Sequence, residues 1–198
     1  MFILSPARVI IHLAMLHTER RPLTVADYMS LPEDGPRYQL IDGELFLAPS
    51  PNRNHQFISG ELEFALRSYL KKNPIGVIYD APFDVELSET TVVQPDIAYF
   101  SKERLSRLTE QGAKGGPDLV VEILSPSTAQ LDLGRKREIY AQSGVREMWI
   151  VYPRTRRVMI YRLQEDQENP VETLEANRTL QTPLLPGFSV PLSEIFGA

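Results

Sequence analysis

The feature that most constrains the fold of this chain is a short apolar run, Leu119–Leu124, whose single charged residue is Glu122. A run of this length and composition is typical of a strand that is buried on both faces. Leu131–Ser143 then has helical spacing and ends where Gly144 is placed to stop a helix, and Glu147–Tyr152 is a second apolar strand. A helix between two core strands implies a right-handed crossover within one sheet.

The rest of the chain predicts further strands and helices. Asp42-Gly43 is a two-residue turn signal for a β-hairpin, and Arg53–Lys72 has the apolar spacing of a helix. No repeat or linker divides the chain. We therefore predict an α/β fold, a mixed β-sheet flanked by helices with an N-terminal β-hairpin. The other predicted elements are a helix Val25–Ser30 capped by Thr24, hairpin strands within Tyr38–Pro49, an extended segment Val77–Leu87 bent at Pro82, a strand Val92–Phe100, a short helix Ser101–Thr109, a loop Gly112–Pro117 and a strand Arg157–Leu163.

Length and composition predict one globular domain. The 198 residues are enough to bury a sizeable core, and we assign residues 22–198 to a single domain. Residues 1–21 are predicted to be a poorly defined extension, whose apolar run Val9–Leu16 is too short to span a bilayer. Because the sequence contains no cysteine, a disulfide scaffold and a thiolate zinc site are excluded. We predict a cytoplasmic protein without membrane contact.

Charge is unevenly distributed along the chain. The net charge of −5 argues against a general nucleic-acid coat. Ala129–Arg162, however, contains eight Lys/Arg residues and three Asp/Glu residues. Such a basic stretch can contact a phosphate backbone without indiscriminate binding, although a solvated basic face is an equally good interpretation.

Two carboxylates lie in apolar strands, where burial is costly unless the group is paired, protonated or bound to a metal ion. Glu122 shares one strand face with Val120 and Leu124. Asp96 follows Pro95, which cannot donate a ladder hydrogen bond and so marks a strand edge or a bulge. The alternatives are a structural ion pair for Glu122 and a turn-like Asp beside a proline for Asp96.

A lysine lies on the apolar side of the helix that follows Glu122. The apolar arc of this helix consists of Leu133, Ile139 and Tyr140. At about 100° per residue, Lys136 falls in the middle of that arc. An ammonium group that points at the sheet requires a carboxylate, and Glu122 on the preceding strand is the expected partner. A lysine that extends along the apolar surface to solvent is the alternative.

These three residues together suit the hydrolysis of a phosphodiester bond. Asp96 and Glu122, with room for water, would bind a hard, oxygen-preferring ion such as Mg²⁺. Such an ion polarises a phosphate and lowers the pKa of a bound water. Lys136 would orient that water or meet the negative charge that develops on the phosphorane.

The chain also carries a set of motifs that are highly specific in combination. They are Tyr38–Glu44, Pro49-Ser50-Pro51 with His55, Gln94-Pro95-Asp96, Gly116–Ser127, Lys136 with Tyr140, and Gly144–Val151. Pro95-Asp96 followed by Glu122 on the next strand resembles the PD-(D/E)XK nuclease superfamily. More closely, the chain resembles the Uma-type family of predicted restriction endonucleases, from about Pro22 to Phe196.

The resemblance implies a restriction-endonuclease-like fold and a metal-dependent endonuclease acting on DNA, with Mg²⁺ or alternatively Mn²⁺ as the cofactor. It implies that Asp96, Glu122 and the backbone carbonyl of Ile123 bind the ion. The superfamily's usual lysine, two residues after the glutamate, is Leu124 in this chain. In the Uma-type family the lysine comes instead from the next helix, which is Lys136 here.

Further residues are candidates for supporting roles. The resemblance implies that Glu44 is an additional acidic group near the metal, whereas the sequence alone describes it as an exposed hairpin residue. His55 and Gln94 are predicted to lie behind the metal-binding residues, with a plain helix-start residue as the alternative for His55. The candidates for DNA contact are Arg135 and the group Arg154, Arg156 and Arg157, which could equally form a solvated hairpin tip.

Two other functions compete with DNA cleavage. The first is a nucleic-acid-binding or assembly module whose nuclease site has decayed, but the presence of both carboxylates and a relocated lysine argues against it. The second is a glycosidase, which would need aromatic side chains in a cleft to stack on sugar rings. The single Trp lies on a predicted core strand and gives little support. DNA is the predicted substrate, and cleavage of both strands would suit a homodimer.

Overall fold

A computed structural model of the chain describes residues 21–32, 34–48, 50–126 and 129–197. The predicted extension, residues 1–21, therefore lies outside the described residues except for Arg21. In the described part of the chain, no helix is both long and apolar enough to cross a bilayer. The helices are α1 (Val25–Met29), α2 (Arg53–Lys72), α3 (Ala129–Leu133), α4 (Arg135–Gln142), α5 (Leu192–Phe196) and a 3₁₀ helix (Lys102–Arg107).

The described strands form two large sheets and one small pair. They are β1 (Arg37–Ile41), β2 (Glu44–Ala48), β3 (Gly76–Asp80), β4 (Asp84–Ser88), β5 (Thr91–Val93), β6 (Ile97–Ser101), β7 (Gly112–Lys114), β8 (Leu119–Ile123), β9 (Glu147–Tyr152), β10 (Arg157–Arg162), β11 (Glu172–Glu175), β12 (Thr179–Leu180) and β13 (Val190–Pro191). The larger sheet has the order β11-β10-β9-β8-β6-β3, and the smaller has the order β2-β1-β5-β4-β7. Both sheets combine parallel and antiparallel pairs.

Several elements predicted from local signals are confirmed. Thr24 caps α1 through a reciprocal capping box with Asp27. The β1–β2 hairpin turns at Asp42 and Gly43, which have φ values of 50° and 82°. A two-residue turn with positive φ at both positions matches the right-handed twist of the flanking strands. Helix α2 spans Arg53–Lys72 as predicted. The side chain of Asn52 caps its start by accepting the backbone N–H of His55, which fixes the orientation of the first turn.

Strand β8 confirms the strand, helix and strand unit predicted from the sequence. It pairs in parallel with β9, and α3 and α4 connect the two strands. All of its residues are buried, so both faces are covered as expected. One face packs with the core that includes α2, and the other, which carries Val120, packs with Ile139 and Tyr140 of α4. Glu122 therefore points into the layer between β8 and α4.

Two predicted strands are corrected by the structure, because each is divided between the two large sheets. Val77–Leu87 comprises most of the larger sheet's β3 and most of the smaller sheet's β4, with Pro82 between them. Val92–Phe100 comprises β5 and β6, with Pro95 between them. Proline cannot donate a ladder hydrogen bond, so strand pairing stops at Pro82 and at Pro95. At each of these two crossings the chain passes from one large sheet to the other. The predicted loop Gly112–Pro117 also contains a strand, β7, which pairs with β4.

The predicted helix Leu131–Ser143 is also divided. Gly134 separates α3 from α4 with φ −109° and ψ −97°, outside the helical region. Glycine in a helix interior is less favourable than alanine by about 1 kcal/mol. The sequence did not reveal the break, because the apolar residues keep helical spacing on both sides of Gly134. Lys136 consequently lies in the first turn of α4 and not in the middle of a helix, yet its side chain is buried. Gly144 ends α4 with a φ of 75°, as predicted.

Candidate active site

A cleft of about 730 Å³ opens between the two large sheets, beside the crossing from β5 to β6. Besides Arg37 at its edge, five ionisable side chains from separate parts of the chain meet on the wall of the cleft. They come from α2, from the crossing itself, from β8, from α3 and from α4. In that order they are His55, Asp96, Glu122, Asp132 and Lys136. The fold thus brings together the three residues that the sequence placed in one site, and adds two neighbours.

Asp96 ends the crossing and is fixed against β8. Its Oδ2 accepts a hydrogen bond from the backbone N–H of Ile123 at 2.6 Å. Its Oδ1 lies 3.2 Å from Nε2 of His55. Strand β6, which begins directly after Asp96, pairs with β8. The carboxylate of Asp96 therefore lies beside the residue that follows Glu122, as the predicted site requires.

Glu122 is held by two donors from α4. Its Oε1 accepts a hydrogen bond from Nζ of Lys136 at 2.9 Å and from the hydroxyl of Tyr140 at 2.6 Å. Burial raises the pKa of Glu122, and Lys136 opposes that shift while Asp132 and Asp96 reinforce it. The carboxylate is thus crowded by negative charge, and binding of a cation would relieve it.

Lys136 is shared between two buried carboxylates. Besides Glu122, its Nζ contacts Oδ1 of Asp132 at 3.1 Å, and only 3% of either of these two side chains is exposed. Burial alone would lower the pKa of Lys136, but the charges of Glu122 and Asp132 raise it above the usual value. Asp132 was not predicted from the sequence. Its position four residues before Lys136 could have indicated it, because such residues share a helix face.

His55 reaches the site from the first turn of α2. The side-chain oxygen of Asn52 accepts the backbone N–H of His55 at 3.0 Å, so His55 is a helix-start residue, which was the alternative considered from the sequence. Its ring also faces Asp96. Burial lowers the pKa of His55, but the hydrogen bond and charge of Asp96 and the backbone of Ile123 raise it more, and the net shift is upward.

Gln94 supports the crossing and not the carboxylate of Asp96. Its side-chain amide donates to Asp84 at 2.7 Å, and its backbone N–H donates to the side chain of Gln39 at 2.9 Å. These bonds tie the crossing to β4 and β1. Gln94 therefore positions the segment that carries Asp96.

The remaining candidates do not line the cleft. Glu44 is exposed at the start of β2 and is absent from the described lining. Arg135 binds Asp42 of the hairpin and Glu138 of its own helix. The three arginines of the β9–β10 hairpin lie elsewhere on the surface, where two have partners of their own. These are the carbonyl of Gly197 for Arg156 and the carboxylate of Glu175 for Arg157, while Arg154 is exposed.

The donor set of the cleft fits a hard divalent ion. Within the described residues, no three His, Cys, Asp or Glu side chains form a cluster that could hold a metal by themselves. A site here would therefore consist of few side chains, a backbone carbonyl and water. Mg²⁺ in proteins is commonly bound in this way, by one or two carboxylates with several waters retained. Asp96, Glu122 and the carbonyl of Ile123 are oxygen donors of that kind.

Comparisons with known proteins agree with this architecture. Residues 25–193 match a family model described as "Uma2: Putative restriction endonuclease". The chain also resembles a crystal structure of "a putative nuclease belonging to DUF820" from Anabaena variabilis, with a TM-score of 0.73 and 23% identity over 88% of this chain and 98% of that chain. At this identity the likeness shows the fold alone, and it confirms the predicted nuclease-like mixed α/β fold. No curated protein matches the chain.

Proposed function

Because the chain belongs to the Uma2 family, we propose that it is an endonuclease that hydrolyses phosphodiester bonds of DNA with Mg²⁺ or Mn²⁺. The observation that carries this proposal is the buried cation of Lys136 on the wall of an open cleft. A buried ion pair adds little to stability, since apolar side chains of similar volume are often as stabilising or more so. An ion pair kept beside a second carboxylate in a cleft is better explained by chemistry.

The residues divide into those that would touch the substrate or the ion and those that position them. Asp96, Glu122 and the carbonyl of Ile123 would hold the ion. When bound, a divalent ion polarises the phosphate and lowers the pKa of a nearby water. The ammonium group of Lys136 would stabilise negative charge as it develops on the phosphate oxygens. Asp132 keeps Lys136 protonated and in place.

DNA is the proposed substrate because the cleft is open and carries a basic residue at its edge. Arg37 is exposed on the β1 side of the cleft, where it can contact a phosphate without entering the site. Cleavage of both strands would suit two such sites acting together, and we propose a homodimer for that reaction.

The direct test is incubation of supercoiled plasmid DNA with the full chain and Mg²⁺ or Mn²⁺. We expect nicked and then linear plasmid, and no change when EDTA is present. A gel-shift assay on the same samples detects binding. If the chain binds DNA but cleaves it with neither Mg²⁺ nor Mn²⁺, the proposal is overturned and a decayed binding module is favoured.

A second test separates a metal-binding Glu122 from a structural one. In Glu122→Gln, the amide oxygen still accepts from Tyr140, and Lys136 retains Asp132 as its partner. We expect the free energy of unfolding to change by about 1 kcal/mol or less. Thermal melts should show that Mg²⁺ or Mn²⁺ stabilises the wild type but not the variant.

The control for this variant is Glu86→Gln, which removes a carboxylate that pairs with Lys114 away from the cleft. It should keep the stabilisation by the ion. A loss of several kcal/mol in Glu122→Gln, with ion binding retained, would identify Glu122 as a structural partner of Lys136 only.

A further inference from the structure

We propose that His55 supplies a nitrogen ligand to the ion, so that the site prefers a first-row transition-metal ion such as Mn²⁺ or Co²⁺ to Mg²⁺. This inference rests on the proposed function, because it concerns the ion of the same site. It assigns a direct role to a residue that the sequence placed behind the metal-binding groups.

The separation between His55 and Asp96 is the first reason. Nε2 of His55 lies 3.2 Å from Oδ1 of Asp96, and the ring also bonds to the backbone of Ile123. In an octahedral complex with bonds of about 2.1 Å, adjacent ligand atoms are about 3.0 Å apart. The imidazole nitrogen therefore lies about as far from the carboxylate oxygen as two neighbouring ligands of one ion lie from each other, and the ring also contacts the backbone of the third proposed ligand, Ile123.

The environment of the ring is the second reason. Only 11% of the His55 side chain is exposed, and its backbone is fixed at the capped start of a 20-residue helix. The ring is therefore held with Nε2 directed at Asp96, as a preset ligand requires.

The choice of ion follows from the chemistry of imidazole. Mg²⁺ is a hard ion that favours oxygen donors, whereas mixed nitrogen and oxygen sites bind the later first-row ions more tightly. Because Oε1 of Glu122 already accepts from Lys136 and Tyr140, Glu122 would contact the ion through water. His55, Asp96 and the carbonyl of Ile123 would then bind it directly, in keeping with the lack of a cluster of three such side chains among the described residues. A site with His55 should therefore discriminate against Mg²⁺, which carboxylates and a carbonyl alone would not do.

The test measures ion binding to the full chain without DNA. Titration calorimetry should give a higher affinity for Mn²⁺ than for Mg²⁺. In His55→Gln, the affinity for Mn²⁺ should fall by about 10- to 100-fold, the range typical of lost support at a metal site, with a smaller loss for Mg²⁺. Asn54→Ala is the matched control, because Asn54 is exposed on the same turn and does not line the cleft. It should bind both ions as the wild type does.

Pulsed electron paramagnetic resonance of bound Mn²⁺ provides a readout that does not depend on affinity. A coordinated imidazole gives a ¹⁴N coupling, which we expect in the wild type and not in His55→Gln. The chain has three histidines, and the variant His12→Gln/His17→Gln should keep the coupling. This second variant assigns the signal to His55 even where His55→Gln does not fold.

The outcomes separate the two proposals. Absence of the ¹⁴N coupling from wild-type protein that binds Mn²⁺ and cleaves DNA would overturn the role of His55 and leave the endonuclease intact. A coupling that persists in folded His55→Gln would do the same. Failure of the wild type to bind either ion would instead overturn the metal-dependent function, and the role of His55 with it.

Discussion

Asp96→Asn is expected to reduce DNA cleavage by roughly a thousandfold, while the protein remains folded. A bound ion contributes several kcal/mol to stabilising the transition state, and each 1.4 kcal/mol lost is about tenfold in rate. Asparagine removes the negative charge that would hold the ion. Its amide oxygen can still accept the backbone N–H of Ile123, so the attachment of the crossing to β8 is preserved. Plasmid cleavage rates at saturating Mg²⁺ or Mn²⁺ measure the effect.

The control is Asp80→Asn at the end of β3, close to the same crossing. The side chain of Asp80 is 43% exposed and pairs with Arg67 outside the cleft, so its loss should leave the cleavage rate unchanged. If Asp96→Asn keeps more than about a tenth of the wild-type rate, Asp96 does not hold an ion that the reaction needs.

Lys136→Met should destabilise the folded state by about 3–5 kcal/mol, the largest stability effect expected of a single change in the site. Methionine fills a similar volume, so lost packing contributes little. The loss comes from Glu122 and Asp132, two buried carboxylates that would be left without their shared cation. Urea unfolding at neutral pH gives the free energy of unfolding. Cleavage should also be lost in whatever fraction remains folded.

Two further variants test that explanation. Lys114→Met removes a lysine that is 69% exposed and pairs with Glu86, and it should change stability by about 1 kcal/mol or less. Adding Lys136→Met to Glu122→Gln/Asp132→Asn should cost far less than the same change in the wild type, because no buried charge is left unpaired. An equal cost in both backgrounds would show that packing, and not charge, explains the effect.

The core of the site could be predicted because each of its signals is local. A carboxylate inside an apolar strand is costly wherever that strand is buried, so Glu122 is conspicuous before any fold is known. Lys136 falls on the apolar side of its helix by spacing alone, and this held although Gly134 divides the helix. The metal-binding and catalytic roles of these residues, including Asp96, remain predictions for the experiments above.

The rest of the site depends on contacts that no local pattern contains. Alternation shows which face of a strand is buried but not which sheet the strand joins. The bend at Pro82 and the strand edge or bulge at Pro95 were therefore predicted, but not the change of sheet at each. His55 meets Asp96 only because α2 packs on the larger sheet. Asp132 is the exception, since its spacing from Lys136 was available in the sequence.

The two crossings also separate a segment whose length and sequence can vary from the sheet positions that must stay fixed to hold Asp96. β3 and β6 are neighbours in the larger sheet, with Asp80 opposite Ile97, and the N–H of Ala81 bonds to the carbonyl of Asp96. Residues 81–96 thus leave the larger sheet and return to it at one point, having built β4 and β5 on the way. The turn between β4 and β5 can change in length or sequence without moving Asp96, because the larger sheet holds both ends of the segment 81–96. A lineage could therefore remodel this end of the smaller sheet, which lies outside the lining of the cleft, while inheriting the chemistry unchanged.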